Sequence, residues 1–442
     1  MSPSQRLRSL TTSMGRALRY RNFRLYFLGQ GTSLIGTWLT RVAMSWLVYR
    51  LTGSELLLGV VGFAGQVPTF LLAPVAGVLI DRIDRHRVLL ITQALALVQS
   101  GLLAVLTITG VITVAEIVVL ALLQGVINAF DTPARQAFVV RMVDSREDLP
   151  NAIALNSTMV NAARLLGPSL GGVLIALVGE GWCFAIDSVS YVAVIASLVA
   201  MRVAPQAPPA TTSGFHAQLR DGIRYIARFA PVRALLLLLA ASSLTGVPYA
   251  VLMPVFAKEV LGGGSHTYGL LMASSGMGAL IAALWLAARR SVLGLGRVVA
   301  VAATAFGVAL VAFSLSRSLW LSVPLLAAAG ASMMLQMASS NTLVQTLVDE
   351  EVRGRVMSFY TVSFLGMMPF GSLAAGWLGQ HLGAPVTVRL GGVVTVAASL
   401  LFWRKLPELR RLARPVYERL GILPEIADGL GQSSNLTVPP QR

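Results

Sequence analysis

IVVLALLQGVINAFDTPARQAF, residues 117–138, begins greasy enough for a bilayer and ends in a polar stripe. Gln124, Asn128, Asp131 and Arg135 follow one another at steps of four, three and four, which places them on one face of a helix. A charge at the centre of a membrane helix costs roughly 2.5–3.5 kcal/mol on the insertion scale. A stripe with two opposite charges therefore persists only where it faces water, a partner or a ligand. The rest of the chain reads as the scaffold that gives this stripe something to face.

The composition agrees. Of 442 residues, 55% are hydrophobic and 12% charged, with a mean hydropathy of +0.72. Soluble domains carry about 25% charged residues, so this is the composition of a membrane protein. A net charge of +16 would suggest nucleic acid in a soluble chain. Here the arginines lie between apolar segments, which is the positive-inside pattern, and no nucleic-acid partner is expected. Cys183 stands alone, which excludes an internal disulfide and a cysteine metal cluster. His86, His216, His266 and His381 are scattered with no metal-ligand spacing, and no nucleophile motif accompanies them. Neither a metal, a cofactor nor an enzyme is expected. The N-terminus, with Arg6, Arg8, Arg16, Arg19, Arg21 and Arg24, leads into a segment long enough to span and stay, so no cleavable signal is expected.

A span needs about 20 apolar residues. Twelve candidates run over 23–49, 55–80, 88–109, 113–138, 150–178, 182–201, 233–260, 267–288, 296–316, 319–343, 355–380 and 385–403. Connections at 81–87, 141–149, 202–232, 289–297 and 349–355 are rich in arginine, and the alternate ones carry almost no basic residues beyond Arg50 and Arg317. This alternation predicts both termini in the cytoplasm. The division follows: a cytoplasmic segment 1–22, a six-helix half 23–201, a linker 202–232, a second six-helix half 233–403 and a cytoplasmic tail 404–442. The linker opens with a proline-rich spacer, 204–213. It continues as an amphipathic helix with Phe215, Leu219, Ile223 and Ile226 on one face and Arg220, Arg224 and Arg228 on the other. That pattern suits a helix on the membrane surface or one packed on the bundle.

The halves are weak repeats. PARQAFVVRMVD (133–144) lies over ASSNTLVQTLVD (338–349), and Pro168 and Gly171 fall near Pro369 and Gly371. Gln336 then occupies the place of Asp131. Repeat symmetry of this kind suggests a transporter with a substrate path between the halves.

Three motifs sharpen the reading. Gly77-Val-Leu-Ile-Asp81-Arg82-Ile-Asp84-Arg85-His86-Arg87 resembles the signature loop of the major facilitator superfamily, with Asp84 where the wider pattern has glycine. Gly77 allows close helix approach, and Asp81 among Arg82 and Arg85 can latch one conformation. Arg164-Leu-Leu-Gly167-Pro168-Ser-Leu-Gly171-Gly172 resembles the antiporter motif of drug–proton exchangers in that superfamily, with Ala154 and Ala163 standing for two of its glycines. Its small residues and proline make a flat, bendable packing surface. Asp131-Thr-Pro-Ala-Arg135, Asn341-Thr-Leu-Val-Gln345, Arg353-Gly-Arg355, Tyr20-Arg-Asn-Phe23-Arg24, Gly36-Thr-Trp38 and Arg220-Asp-Gly222-Ile-Arg224-Tyr225 resemble the branch that contains the enterobactin exporter and macrolide or multidrug efflux proteins. The resemblance runs to about residue 405. It implies an all-α membrane protein of twelve transmembrane helices in two six-helix repeats, a monomer in the bacterial cytoplasmic membrane, whose partners are a small molecule, protons and the lipid bilayer.

The charges inside the spans have differing readings. Arg41 lies about 27 Å along the first helix from Phe23 at 1.5 Å per residue, so it either snorkels outward or serves a cavity. Ser157, Asn161 and Arg164 share a face of the fifth span, with Arg164 near mid-depth. Asp187, early in the sixth span, has a structural or a proton-binding role, and Glu116 is close enough to the outer surface to be solvated. The second half is nearly free of charges inside its spans, offering Gln336, Asn341, Phe364 and Met367, with Gly366 and Pro369 able to open the eleventh helix.

The expectation is an exporter of an amphipathic organic molecule by proton antiport and alternating access, with a lipid or lysolipid flippase or a proton-coupled uptake carrier as alternatives. Asp131, Arg135, Arg164 and Asp187 are the candidates for proton coupling or gating, Asp131 first. Gln124, Asn128, Asn161, Gln336, Asn341, Phe364 and Met367 are the expected cavity lining.

Overall fold

The computed structural model describes residues 16–143, 145, 147–202, 215–289 and 291–420. Its long helices are α1 Arg21–Thr52, α2 Glu55–Arg82, α3 Arg85–Ile108, α4 Val114–Val139, α5 Leu149–Val178 and α6 Glu180–Ala200 in the first half. The second half holds α8 Ala230–Val260, α9 Ser265–Ala287, α10 Leu295–Leu315, α11 Leu319–Leu347, α12 Glu350–Leu382 and α13 Ala384–Arg419. A shorter helix, α7 Phe215–Arg228, lies between them. Among the described residues, 11 helices are long and apolar enough to cross a membrane. Arginines at both its ends and at Arg41 leave α1 less apolar than the others, yet it packs along α5 and α6 as part of the same bundle. Large apolar side chains such as Leu177, Val189 and Trp320 stand exposed on the outer faces, which suits lipid and not water.

Local chemistry sets the helix ends. Ser54 caps α2 by accepting from the Leu57 amide at 3.3 Å. Asp84, at the position where a glycine would have made a tight turn, caps α3 by accepting from the His86 amide at 3.0 Å. Glu116 is more than a solvated charge: with Thr113 it forms a capping box at the start of α4. Gly179 and Gly383, at φ 85° and 81°, are single-residue joints between α5 and α6 and between α12 and α13, a left-handed backbone that suits glycine.

Two helices are broken. A π-helical turn, Ser242–Gly246, interrupts α8 ahead of Pro248, and another, Val362–Gly366, interrupts α12 ahead of Pro369. A proline has no N–H and crowds the preceding turn, so the ladder shifts register there. The opening expected at Gly366 and Pro369 is therefore present as a π turn.

The halves meet along two seams, α2 on α12 and α5 on α9. Each seam is a backbone-on-backbone crossing. A Cβ on Gly172 would lie 2.7 Å from the Gly269 Cα and from the Ser265 carbonyl oxygen, and one on Gly269 would lie 2.7 Å from the Gly172 Cα and the Pro168 carbonyl oxygen. The other seam copies it: a Cβ on Gly376 would lie 2.7 Å from the Gly59 Cα and the Glu55 carbonyl oxygen, and one on Gly59 would lie 2.7 Å from the Ser372 carbonyl oxygen. Gly59 thus plays the part of Gly269, and Gly376 that of Gly172. The two crossings share one geometry.

Hydrogen bonds close the seams at the end bearing the arginine-poor connections. The Tyr49 hydroxyl donates to Glu259, Ser54 donates to Gln380 Oε1 at 2.9 Å, and Ser265 donates to the Gly172 carbonyl at 3.1 Å. Trp46 stacks on Tyr268 at 6.1 Å beside them. Nearer the middle, Phe370 meets Phe63 and Phe70 edge-on across the α2–α12 seam at 5.9 and 5.8 Å.

The linker helix packs on the bundle. Tyr225 and Ile226 join the core that α8, α10, α11, α12 and α13 build, while Ile223 stays exposed. A surface cavity of about 610 Å³ opens there between α7, Asp349 and Arg419, whose side chains pair at 2.6 Å. The proline-rich spacer 204–213, the side chains of Phe215 and Leu219, and the tail from 421 onward lie outside the described residues.

Candidate functional site

The stripe from Gln124 to Arg135 divides in two. Gln124 and Asn128 are half-buried and bond each other, Nε2 to Oδ1 at 3.2 Å. Asp131, one turn on, is fully buried and faces α3. Its Oδ1 accepts from Thr92 Oγ1 at 3.0 Å and Gln93 Nε2 at 2.7 Å, and its Oδ2 takes the Arg135 guanidinium. Gly125 beside the stripe lets α2 press against α4: its carbonyl accepts from Thr69 at 2.9 Å. Asp131 and Arg135 are therefore joined to each other and locked between helices of one half. Arg164 takes no share in that pair.

The second buried acid is differently kept. Asp187 on α6 accepts from Thr40 Oγ1 at 2.8 Å and Ser100 Oγ at 3.2 Å through Oδ2. Its Oδ1 is buried without a hydrogen-bond partner, and no cation pairs with it among the described residues. Gly36 makes room for it, since a Cβ there would lie 2.5 Å from Oδ1. Asp187 thus sits where α1, α3 and α6 meet.

The opposite face of α1 looks across at the second half. Trp38, Arg41, Ser45 and Tyr49 follow at steps of three, four and four, hence on one stripe. The Arg41 guanidinium lies 4.7 Å from the Trp38 ring centre, and that of Arg164 from α5 lies 5.8 Å from the same ring. Trp38 also packs where Gly167 leaves space. Arg41 is exposed and Arg164 half-buried. Each has a phenol of the second half within electrostatic reach, Tyr268 for Arg41 and Tyr249 for Arg164. Trp38 and Arg41 meet Arg164 only through the packing of α1 on α5. The spacing of 38, 41, 45 and 49 was the signal available.

The remaining candidates take varied places. Asn161 donates to the Ser157 carbonyl at 2.9 Å and stays half-buried on α5. Gln336 is buried and donates to Ser242 Oγ at 2.8 Å, tying α11 to the π turn of α8. Asn341 is half-buried and accepts from Gln345 at 2.5 Å. Phe364 packs against the core of the second half, and Met367 follows the π turn half-buried. Pro168, Gly171 and Gly172 are buried in the α5 seam. The side chains of Gly77, Asp81 and Arg82 lie outside the described residues, so of the expected latch only Arg85 is described, half-buried at the start of α3.

Residues 12–420 match the model of a family described as transmembrane secretion effector. The chain belongs to this family of the major facilitator superfamily. It is similar to a staphyloferrin A transporter of Staphylococcus aureus, 26% identical with 86% of this chain and 95% of that protein covered. A multidrug efflux pump of Mycolicibacterium fortuitum is 25% identical (87% and 96% covered), and an enterobactin exporter of Citrobacter koseri is 25% identical (89% and 94% covered). The fold is that of a solved peptide transporter, with a TM-score of 0.72 at 12% identity, covering 88% of this chain and 95% of that one. The chain is a multi-pass membrane transporter of small molecules and not an enzyme.

Proposed function

We propose that this transporter exports an amphipathic organic molecule of the drug or siderophore class by proton antiport and alternating access. It would work as a monomer with twelve spans in the bacterial cytoplasmic membrane, both termini inside. The observation that carries the reading is the pair of glycine crossings between the halves. Seams of bare backbone hold by close packing, so at the crossings themselves the halves can part without separating an ion pair. The sealed end carries the arginine-poor connections, so by the positive-inside rule this is the state closed to the outside. The names of the multidrug efflux pump and the enterobactin exporter among the relatives support export of such molecules.

Proton coupling needs an acid that can be neutralised without wrecking the fold. Protonating Asp131 would leave Arg135 without its counter-charge in a buried site, which favours a structural or gating role for that pair. Asp187 can gain or lose a proton without stranding any cation, and it borders α1, the helix that reaches the other half. Asp187 is accordingly our first choice for the coupling group, ahead of Asp131, with Gln124, Asn128, Asn161, Asn341 and Met367 as cavity lining. The experiment is whole-cell accumulation and inverted-vesicle transport over a drug panel, with and without an uncoupler. Uncoupler-sensitive efflux is expected; net accumulation would make the chain an uptake carrier, and lipid flipping in liposomes without drug efflux a flippase.

A further inference from the structure

Arg41 and Arg164 pose a problem that the export reading alone does not answer. Arg164 stands about 22 Å along α5 from Leu149, near the middle of that helix. Two guanidiniums sit on one indole there, within electrostatic reach of each other. Neither has a carboxylate partner among the described residues: Asp131 is taken by Arg135, Asp187 by hydroxyls, Glu180 by Arg50 and Asp148 by Arg19. An aromatic face attracts a cation without cancelling its charge. Like charges held together inside a membrane bundle are costly unless an anion joins them. Across from them the second half offers the Tyr249 and Tyr268 phenols and Ser275, which is 2.7 Å from the Tyr249 oxygen.

We propose that Arg41 and Arg164 form a subsite for an oxyanion of the exported molecule, its carboxylate or ionised phenol, while an aromatic part of it lies against Trp38. The inference rests on the export reading and deepens it by naming the substrate as an amphipathic acid. Arginine suits the task because its planar fork pairs an oxyanion through two hydrogen bonds and stacks on a ring. Bound between the halves, the anion would neutralise the two guanidiniums.

The test uses purified full-length protein and two dyes on the same ring scaffold, fluorescein (an anion) and rhodamine 123 (a cationic ester). Fluorescence polarisation is expected to show fluorescein bound in preference. Arg41→Gln or Arg164→Gln should each weaken it about tenfold or more, the scale of one lost charge-assisted hydrogen bond. Arg41→Lys should retain part of the affinity. Thermal melting supplies the second readout: removing one of two unpaired like charges should leave the melting temperature unchanged or higher, whereas a structural role would lower it. Preference for rhodamine 123, or fluorescein affinity unchanged in both glutamine variants, would overturn the subsite. Transport of the dyes into inverted vesicles is the separate arm. Arginine-dependent binding of fluorescein without energised movement would sink the export reading and leave the subsite standing.

Discussion

Asp131 and Asp187 are two buried carboxylates in the same half, and the chain treats them in opposite ways. Asp131 has an arginine one turn along its own helix and two further donors on α3. Asp187 has hydroxyls from α1 and α3, one oxygen without a partner, and a glycine pressed against that oxygen. The first arrangement fixes a charge; the second leaves room for a proton. Two acids at similar burial therefore suit two jobs, and it is their partners that divide the work.

The comparison breaks most visibly at Asp187→Asn. Efflux driven by a pH gradient is expected to fall to background while the protein still folds, measured in inverted vesicles alongside thermal melting. Full gradient-driven transport by this variant would return the coupling role to Asp131. Next in size is Arg135→Ala, which strands the Asp131 charge and should cost about 3–5 kcal/mol of stability, read as a large drop in melting temperature. Adding Asp131→Asn to it should recover part of the loss. If Arg135→Ala melts like the wild type, Asp131 is not a fixed charge and the contrast fails. Gly36→Ala forces a methyl against Asp187 Oδ1 and should cost about 1–3 kcal/mol. It should lower transport in proportion, with Asp131 untouched as the internal control. The smallest effect belongs to Gln336→Leu, which removes a neutral bond to Ser242 at 2.8 Å and should cost about 1 kcal/mol, checked by the same melt.

Much of the helical fold was legible in the chain because a bilayer leaves few choices: apolar length gives helices. The 117–138 stretch told that a polar stripe needed company, though not whose. Thr92 and Gln93 lie on a neighbouring helix at positions no periodicity marks as partners of Asp131. Gln336 matches Asp131 by repeat register yet answers to Ser242 on α8, so equal register did not mean equal surroundings. Trp38, Arg41 and Arg164 come from two helices, and only packing brings them onto one ring. The break in α8 at Ser242–Gly246 also went unmarked, since Pro248 announces a kink but not a change of ladder.

The glycine crossings bear on a duty that the proposed proton antiport would impose, which is insulation. A proton-driven machine is useful only if the closed end does not leak the gradient it consumes. At Gly59 against Gly376 and Gly172 against Gly269 the barrier is two main chains in contact, with no side chain between them to line a water file. A larger residue there would pry the walls apart, and the resulting fault would be read as a short circuit: gradient collapse in vesicles holding no substrate at all.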